Sequence, residues 1–284
     1  MPTQVLPKLT ALTPEQIEYI HARSLEILER AGVRVDSPRA RRLLADSQGV
    51  KWAAEDRAFL EPALVEWAIR TAPQAMDLFD RRGQHAFRLG EPGSGLGQDR
   101  TRFGIGVTNL YYQDPLSDQI EPFSRRHMAL SVRLGEQLPL YDVVSTIGVL
   151  QDYPPETADL YAVLEMVANT VKPLVILVSN EQLFPHALDL LEHLHGDLAE
   201  KPFVVPYFNP ITPLIINEAT ADKMLEAIQR GLPVIYSNYS MAGMSTPITA
   251  AGTLALMNAE LLAGLTLAQL ARPGAPVILG SLPA

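Results

Sequence analysis

In the first part of the chain apolar residues recur every three to four positions. In the second they come in short unbroken runs. Thr13-Pro14-Glu15-Gln16 is a helix start, with Thr as N-cap, Pro at the first helical position and Gln three residues after the cap. Ile17, Ile20, Ser24, Ile27 and Leu28 then follow at helical spacing, and Gly32 ends the run. Ser37-Pro38 opens a second predicted helix through about Asp46. Glu61-Pro62 opens a third, with Leu64, Val65, Ala68 and Ile69 on one side, ending before Pro73. Residues 1–75 are predicted to form an N-terminal helical extension, a packing and assembly element without chemistry of its own.

Residues 76–123 change character and read as a glycine-rich β/loop segment. Asp80-Arg81-Arg82-Gly83 predicts a turn between short strands, and residues 103–112 have strand composition. Gly90, Gly93, Gly95, Gly97, Gly104 and Gly106 fit neither a P-loop nor a dinucleotide fingerprint, which disfavours a phosphate cradle.

From Ser124 on, residues 124–284, a βα rhythm appears. Short β-branched runs centre near Val144, Val175, Val204, Ile235 and Ile278, at intervals of 31, 29, 31 and 43 residues. Helices are predicted between them over 124–138, 155–171, 180–194, 217–230 and 247–271. Unbroken apolar runs such as Pro173-Leu-Val-Ile-Leu-Val178 suit strands buried on both faces, as in parallel sheets. A (β/α)8 barrel and an open doubly wound sheet both fit. No glycine-rich fingerprint follows a strand, so the TIM-type barrel is preferred. Five strands are clear, six with 103–112. Two or three units fall short of eight, so the barrel is expected either to continue past Ala284 or to be open.

Composition narrows the function classes. With 23 Lys+Arg against 32 Asp+Glu the net charge is -9, which argues against nucleic acid as a partner. The sequence has no cysteine, which excludes a thiolate metal site and a catalytic thiol from this stretch. Met1 to Thr10 holds Pro2 and Pro7 and lacks the apolar core of a signal peptide. The longest apolar stretch, near Ala259 to Ala271, is interrupted by Glu260, Gly264 and Gln269, short of the roughly 18–20 apolar residues of a membrane span. A cytoplasmic protein without a membrane partner is expected.

In a (β/α)8 barrel the chemistry sits at the C-terminal strand ends. Those ends are Thr146-Ile147-Gly148, Ser179-Asn180, Phe208-Asn209-Pro210, Ser237 to Ser240, and Gly280-Ser281. They carry no carboxylate pair, no metal-ligand cluster and no lysine, which disfavours glycosidase, zinc-hydrolase and Schiff-base chemistry. Candidate substrate-binding residues are Tyr207, Phe208, Asn209, Ser237, Asn238, Tyr239, Ser240 and Ser281. No catalytic residue and no metal ligand is assigned. Strand alternation lets only one of Tyr207 and Phe208 face the barrel axis. Tyr111 and Tyr112 are further aromatic residues near presumed strand ends. Asn180 and Asn217, each preceding a helical run, read rather as helix N-caps, and Thr246-Pro247 as a cap followed by Pro at N1. Of the six histidines, all but His85 fall on predicted helices, where surface or core roles are the ordinary expectation.

The stretch MAGMSTPITAAGTLALMNAELLAGLTLAQLARPGAPVILGS, residues 241–281, resembles the signature region of the trimethylamine methyltransferase family. LTPEQIEYIHARSLEILERAGVRV, 12–35, and FLEPALVEWAIRTAP, 59–73, resemble that family's opening blocks. The resemblance implies a TIM barrel with an N-terminal helical extension. It implies methyl transfer from a quaternary or tertiary methylamine, such as glycine betaine or trimethylamine, to the Co(I) of a corrinoid. The corrinoid is then supplied by a partner protein and none is bound directly. Trimethylamine members contain pyrrolysine, at a position further toward the C-terminus than Ala284, whereas many others lack it. A homo-oligomer is compatible with this, and the acidic balance suits a corrinoid protein with a basic patch. Two alternatives stay open: a TIM-barrel lyase or aldolase with its catalytic groups C-terminal to this stretch, and a non-catalytic betaine-binding or partner-docking protein.

Overall fold

The computed structural model describes residues 10–53, 56–90, 101–106 and 108–284. Gly93, Gly95 and Gly97 of the glycine-rich run lie outside the described residues. Helix α1 (Pro14–Arg30) starts with the expected capping box, Thr13 and Gln16 each binding the other's backbone N–H. It ends at Gly32, whose φ of +67° suits glycine. The chain continues through β1 (Val33–Val35), α2 (Pro38–Ala45), β2 (Val50–Ala53), β3 (Arg57–Leu60) and α3 (Pro62–Thr71). All three predicted helices form, but the extension is not purely helical. Three strands of three or four residues are too short to display a period of two, and their pairing is non-local.

The turn expected at Asp80 joins β4 (Met76–Phe79) to β5 (His85–Leu89), antiparallel partners. Asp80 Oδ1 accepts from the N–H groups of Arg82 and Gln84 and closes the turn. The strand expected over 103–112 splits. It gives β6 (Gly104–Ile105), breaks at Gly106, whose φ of +108° is not a strand conformation, and resumes as β7 (Tyr111–Gln113), paired with β8 (Ile120–Pro122).

After this the βα rhythm holds. The elements are α4 (Arg125–Gln137), β9 (Val143–Ser145), α5 (Pro155–Asn169), β10 (Leu174–Ile176), α6 (Phe184–His195), β11 (Val204–Phe208), β12 (Ile215–Ile216), α7 (Glu218–Gln229), β13 (Val234–Ser240), α8 (Ala250–Ala271) and β14 (Val277–Pro283). Six strands form one all-parallel sheet in the order β6-β9-β10-β11-β13-β14. Spatial order follows chain order without reversal. A doubly wound sheet requires a switch point where the order turns back. The sheet curls into a half-barrel, with helices packed against its outer side.

The N-terminal elements are welded to this half-barrel. β12, in the loop after β11, pairs in parallel with β1, completing a small sheet β12-β1-β3-β2. The Ser24 hydroxyl of α1 lies 2.9 Å from the Ala255 carbonyl of α8 and accepts from Asn258 Nδ2 at 3.0 Å. Ser24→Ala removes this buried polar link. Its expected cost is about 1 kcal/mol, a fall of about 2–4 °C in Tm, read by thermal unfolding.

α8 is long and apolar enough to cross a membrane by length and composition, although Glu260, Gly264 and Gln269 interrupt its sequence. It is instead a core helix, packed against α1, α2, α3, α7, β13 and β14. A helix surrounded on all sides is apolar on all sides. Two expected caps shift. α8 is capped by Thr249, whose side chain accepts from the Gly252 N–H, while Thr246 bonds to Met241 and Thr253. α6 begins at Phe184, and Asn180 instead closes a turn by accepting from the Gln182 N–H. Asn217 does hold the N-cap position of α7, without a side-chain cap bond.

Candidate active site

The inside of the curled sheet is layered. Deepest lie Val143, Val205, Ile235 and Ile278 from four strands, packed against Leu78 and Phe87 of the β4–β5 hairpin. The hairpin is tied to the residues that precede β10 and β11: the Phe79 N–H donates to the Pro202 carbonyl and the Arg81 N–H to that of Val171. It therefore covers the N-terminal end of the sheet. The Arg102 guanidinium sits 4.7 Å from the Phe87 ring centroid and helps to close that end. At the C-terminal end Tyr239 and Leu282 are exposed.

Strand periodicity carries the inner face upward. Two residues beyond Val205, Ile235 and Ile278 come Tyr207, Ser237 and Gly280; two further come Asn209, Tyr239 and Leu282. Asn209 Nδ2 donates to the Ser237 carbonyl at 2.8 Å and lies 3.4 Å from the Tyr207 hydroxyl. Tyr207 and Asn209 are half-buried, Ser237 is buried, and Tyr239 is exposed at the rim. Gly280 leaves room for Ser237: a Cβ there would lie 2.9 Å from Ser237 Oγ. Four of the eight expected residues thus share the inner face.

The other four lie on the outer face, where Phe208, Asn238 and Ser240 are buried and Ser281 is exposed. Phe208 packs edge-on against Phe184 of α6, with ring centroids 5.6 Å apart. Asn238 Nδ2 donates to the Met257 carbonyl and to Glu260 Oε2 of α8, at 2.9 and 2.8 Å. Ser281 Oγ donates to Asn238 Oδ1 at 2.6 Å, and Ser240 is fully buried with no side-chain partner among the described residues. At the other strand ends, Thr146 faces Met166 of α5, and the Ser179 and Asn180 N–H groups both donate to Asp159 Oδ2. Lys223 reaches in from α7 to donate to the Val178 carbonyl at 2.7 Å, and burial holds its ammonium below the usual lysine range. Lys223 and Asp159 escape a reading of strand ends because both sit on helices. Tyr111 is exposed, and Tyr112 stacks on His127 with ring centroids 4.2 Å apart. Among the described residues no group of three His, Asp or Glu side chains could hold a metal.

The main polar centre that sequence reasoning missed is Glu260, in the sequence merely an interruption of an apolar helix. It is 2% exposed, and its partners are neutral. Oε1 accepts from the Leu214 N–H at 2.6 Å; Oε2 accepts from Thr212 Oγ1 at 2.9 Å as well as from Asn238. Burial raises its pKa, and these three donors pull part of the way back. Beside it the fully buried Tyr236 hydroxyl has no hydrogen-bond partner among the described residues, and burial pushes that phenol up as well. Tyr236→Phe deletes an unpaired buried polar atom and keeps the ring. The expected result is a Tm raised by about 2–4 °C, equivalent to about 1 kcal/mol.

The family described as trimethylamine methyltransferase (MTTB) matches residues 1–284. The chain is 29% identical over 277 residues to the trimethylamine methyltransferase MttB of Desulfitobacterium hafniense strain DSM 10664 / DCB-2, covering 96% of this chain and 54% of that protein. It is 29% identical over 283 residues to the glycine betaine methyltransferase of Desulfitobacterium hafniense strain Y51, covering 98% and 57%. It is 27% identical over 280 residues to the trimethylamine methyltransferase MttB of Methanosarcina thermophila, covering 96% and 57%. The chain spans about half the length of the curated relatives it matches. With the family matched from the first residue to the last, this chain belongs to the trimethylamine methyltransferase family.

Proposed function

We propose that the protein is a corrinoid-dependent methyltransferase, built on a (β/α)8-type barrel, that takes a methyl group from a quaternary or tertiary methylamine. A glycine betaine-like quaternary amine is preferred. The observation that carries this reading is the inner face at the strand C-termini, where an aromatic ring, an amide and a hydroxyl converge and, among the described residues of these strands, no carboxylate or lysine joins them. The family membership and the names of the relatives support it.

The corrinoid, carried by a partner protein in the cytoplasm, supplies the Co(I) nucleophile that accepts the methyl group. The residues present fit its approach. Tyr239, Met244, Ile248 and Leu282 expose apolar side chains near this end of the sheet, a rim that a flat macrocycle can cover. A quaternary ammonium leaves as a neutral tertiary amine, so no proton has to be delivered. The chain's task is therefore positioning and exclusion of water. The Tyr207 ring faces the ammonium, to which an aromatic face is attractive when both are desolvated. The hydroxyls of Tyr207 and Ser237 donate to the substrate carboxylate, and Asn209 fixes their spacing through its contacts with both residues.

The test mixes the protein with cob(I)alamin and, in turn, glycine betaine, trimethylamine, carnitine and proline betaine. Conversion of the Co(I) absorbance to that of methylcobalamin with one of these is expected. No transfer from any of them would overturn the proposal.

A further inference from the structure

Asn209 is held from two directions, and both lead to the same carboxylate. Its side-chain amide rests on the Ser237 carbonyl, 2.8 Å away. The next residue, Asn238, turns its side chain to the opposite face and donates to Glu260 Oε2 at 2.8 Å. On the other side, the loop that leaves Asn209 closes on itself, Ile211 and Ile215 exchanging two backbone hydrogen bonds. Inside that loop Glu260 receives the Thr212 hydroxyl and the Leu214 N–H. Leu214 has a φ of +56°, a left-handed conformation that a branched L residue keeps only when its surroundings hold it. The hydrogen bond from its own N–H to a buried carboxylate is such a hold.

We infer that Glu260 is a positioning residue for Asn209. From the helix side of the sheet it ties the 209–216 loop and the end of β13 together, and so sets the place of the inner-face amide. Glu260 itself touches no substrate. Three donors converge on its two oxygens, so a carboxylate satisfies all of them, whereas a glutamine must turn its own N–H2 toward one. The consequence for affinity rests on the functional reading above; the clamp itself does not.

The experiment compares wild type with Glu260→Gln, Asn209→Ala and the double variant. In methyl transfer from glycine betaine to cob(I)alamin, E260Q is expected to raise KM about tenfold with kcat nearly unchanged. The double variant is expected to show no more than the N209A loss, because both substitutions remove one arrangement. A merely structural defect lowers the active fraction, and hence kcat, without this pattern. If E260Q does not fold, Thr212→Ala removes one donor of the clamp and is expected to raise KM in the same direction. Multiplying losses, or an unchanged KM, overturns the inference. Should wild type transfer no methyl group, the functional reading falls and the clamp is judged by NMR alone. A shifted Asn209 side-chain amide and faster exchange at the Leu214 N–H in E260Q support it, and unchanged signals overturn it.

Discussion

Gly264→Val is expected to cost about 3 kcal/mol or more, a fall in Tm of about 6–12 °C for a chain of this size. Gly264 lies in the middle of α8, where a glycine is normally about 1 kcal/mol worse than alanine. Here the ring of Tyr236 occupies the space. A Cβ at Gly264 would lie 2.1 Å from Tyr236 Cε1 and 2.4 Å from Cδ1 and Cζ. Tyr236 is fully buried between β13 and α8 and is flanked by the Glu260 network, so it has nowhere to move. The variant must push α8 away from the sheet or force the tyrosine from its rotamer. Gly264→Ala is expected to act in the same direction, against the helix-propensity trend. A Gly264→Ala protein as stable as wild type, measured by thermal or denaturant unfolding, would show that the helix–strand contact is looser than described.

Tyr207→Leu is expected to raise KM for glycine betaine about 30-fold, corresponding to about 2 kcal/mol for a desolvated cation–π contact. Tyr207→Phe keeps the ring face and is expected to lose much less. The charge dependence gives the sharper check. 3,3-Dimethylbutanoate has the shape of betaine with carbon in place of nitrogen, and so lacks the positive charge. As a competitive inhibitor it is expected to bind wild type and Tyr207→Leu with nearly equal affinity. Equal losses for glycine betaine and for this analogue, whose head group is uncharged, would mean that Tyr207 supplies only bulk.

Much of the fold was legible because its signals are local. The Thr13 capping box, the Gly32 stop, the Asp80 turn and the runs around Val175 and Ile235 each span a few residues, and each has the predicted form. Chain order also limited the possibilities, since repeated βα units allow few arrangements. The short strands of the N-terminal sheet were not legible. β1 pairs with β12, about 180 residues away, and three-residue strands have no periodicity of their own.

The candidate site divides at the same line. The sequence by itself determined which residues stand at the strand ends, and that they are neutral and polar. A period of two states that Tyr207 and Phe208 oppose each other, yet it does not say which of them faces the axis. That phase was decided by packing: the β4–β5 hairpin fills the inside beneath Tyr207, while Phe184 of α6 receives Phe208 on the outside. Burial of Glu260 follows from the same cause. A lone carboxylate in an apolar helix is identical in sequence whether it meets water or three converging donors. Only the docking of α8 against β13 and the 211–214 turn brings Asn238, Thr212 and Leu214 to it.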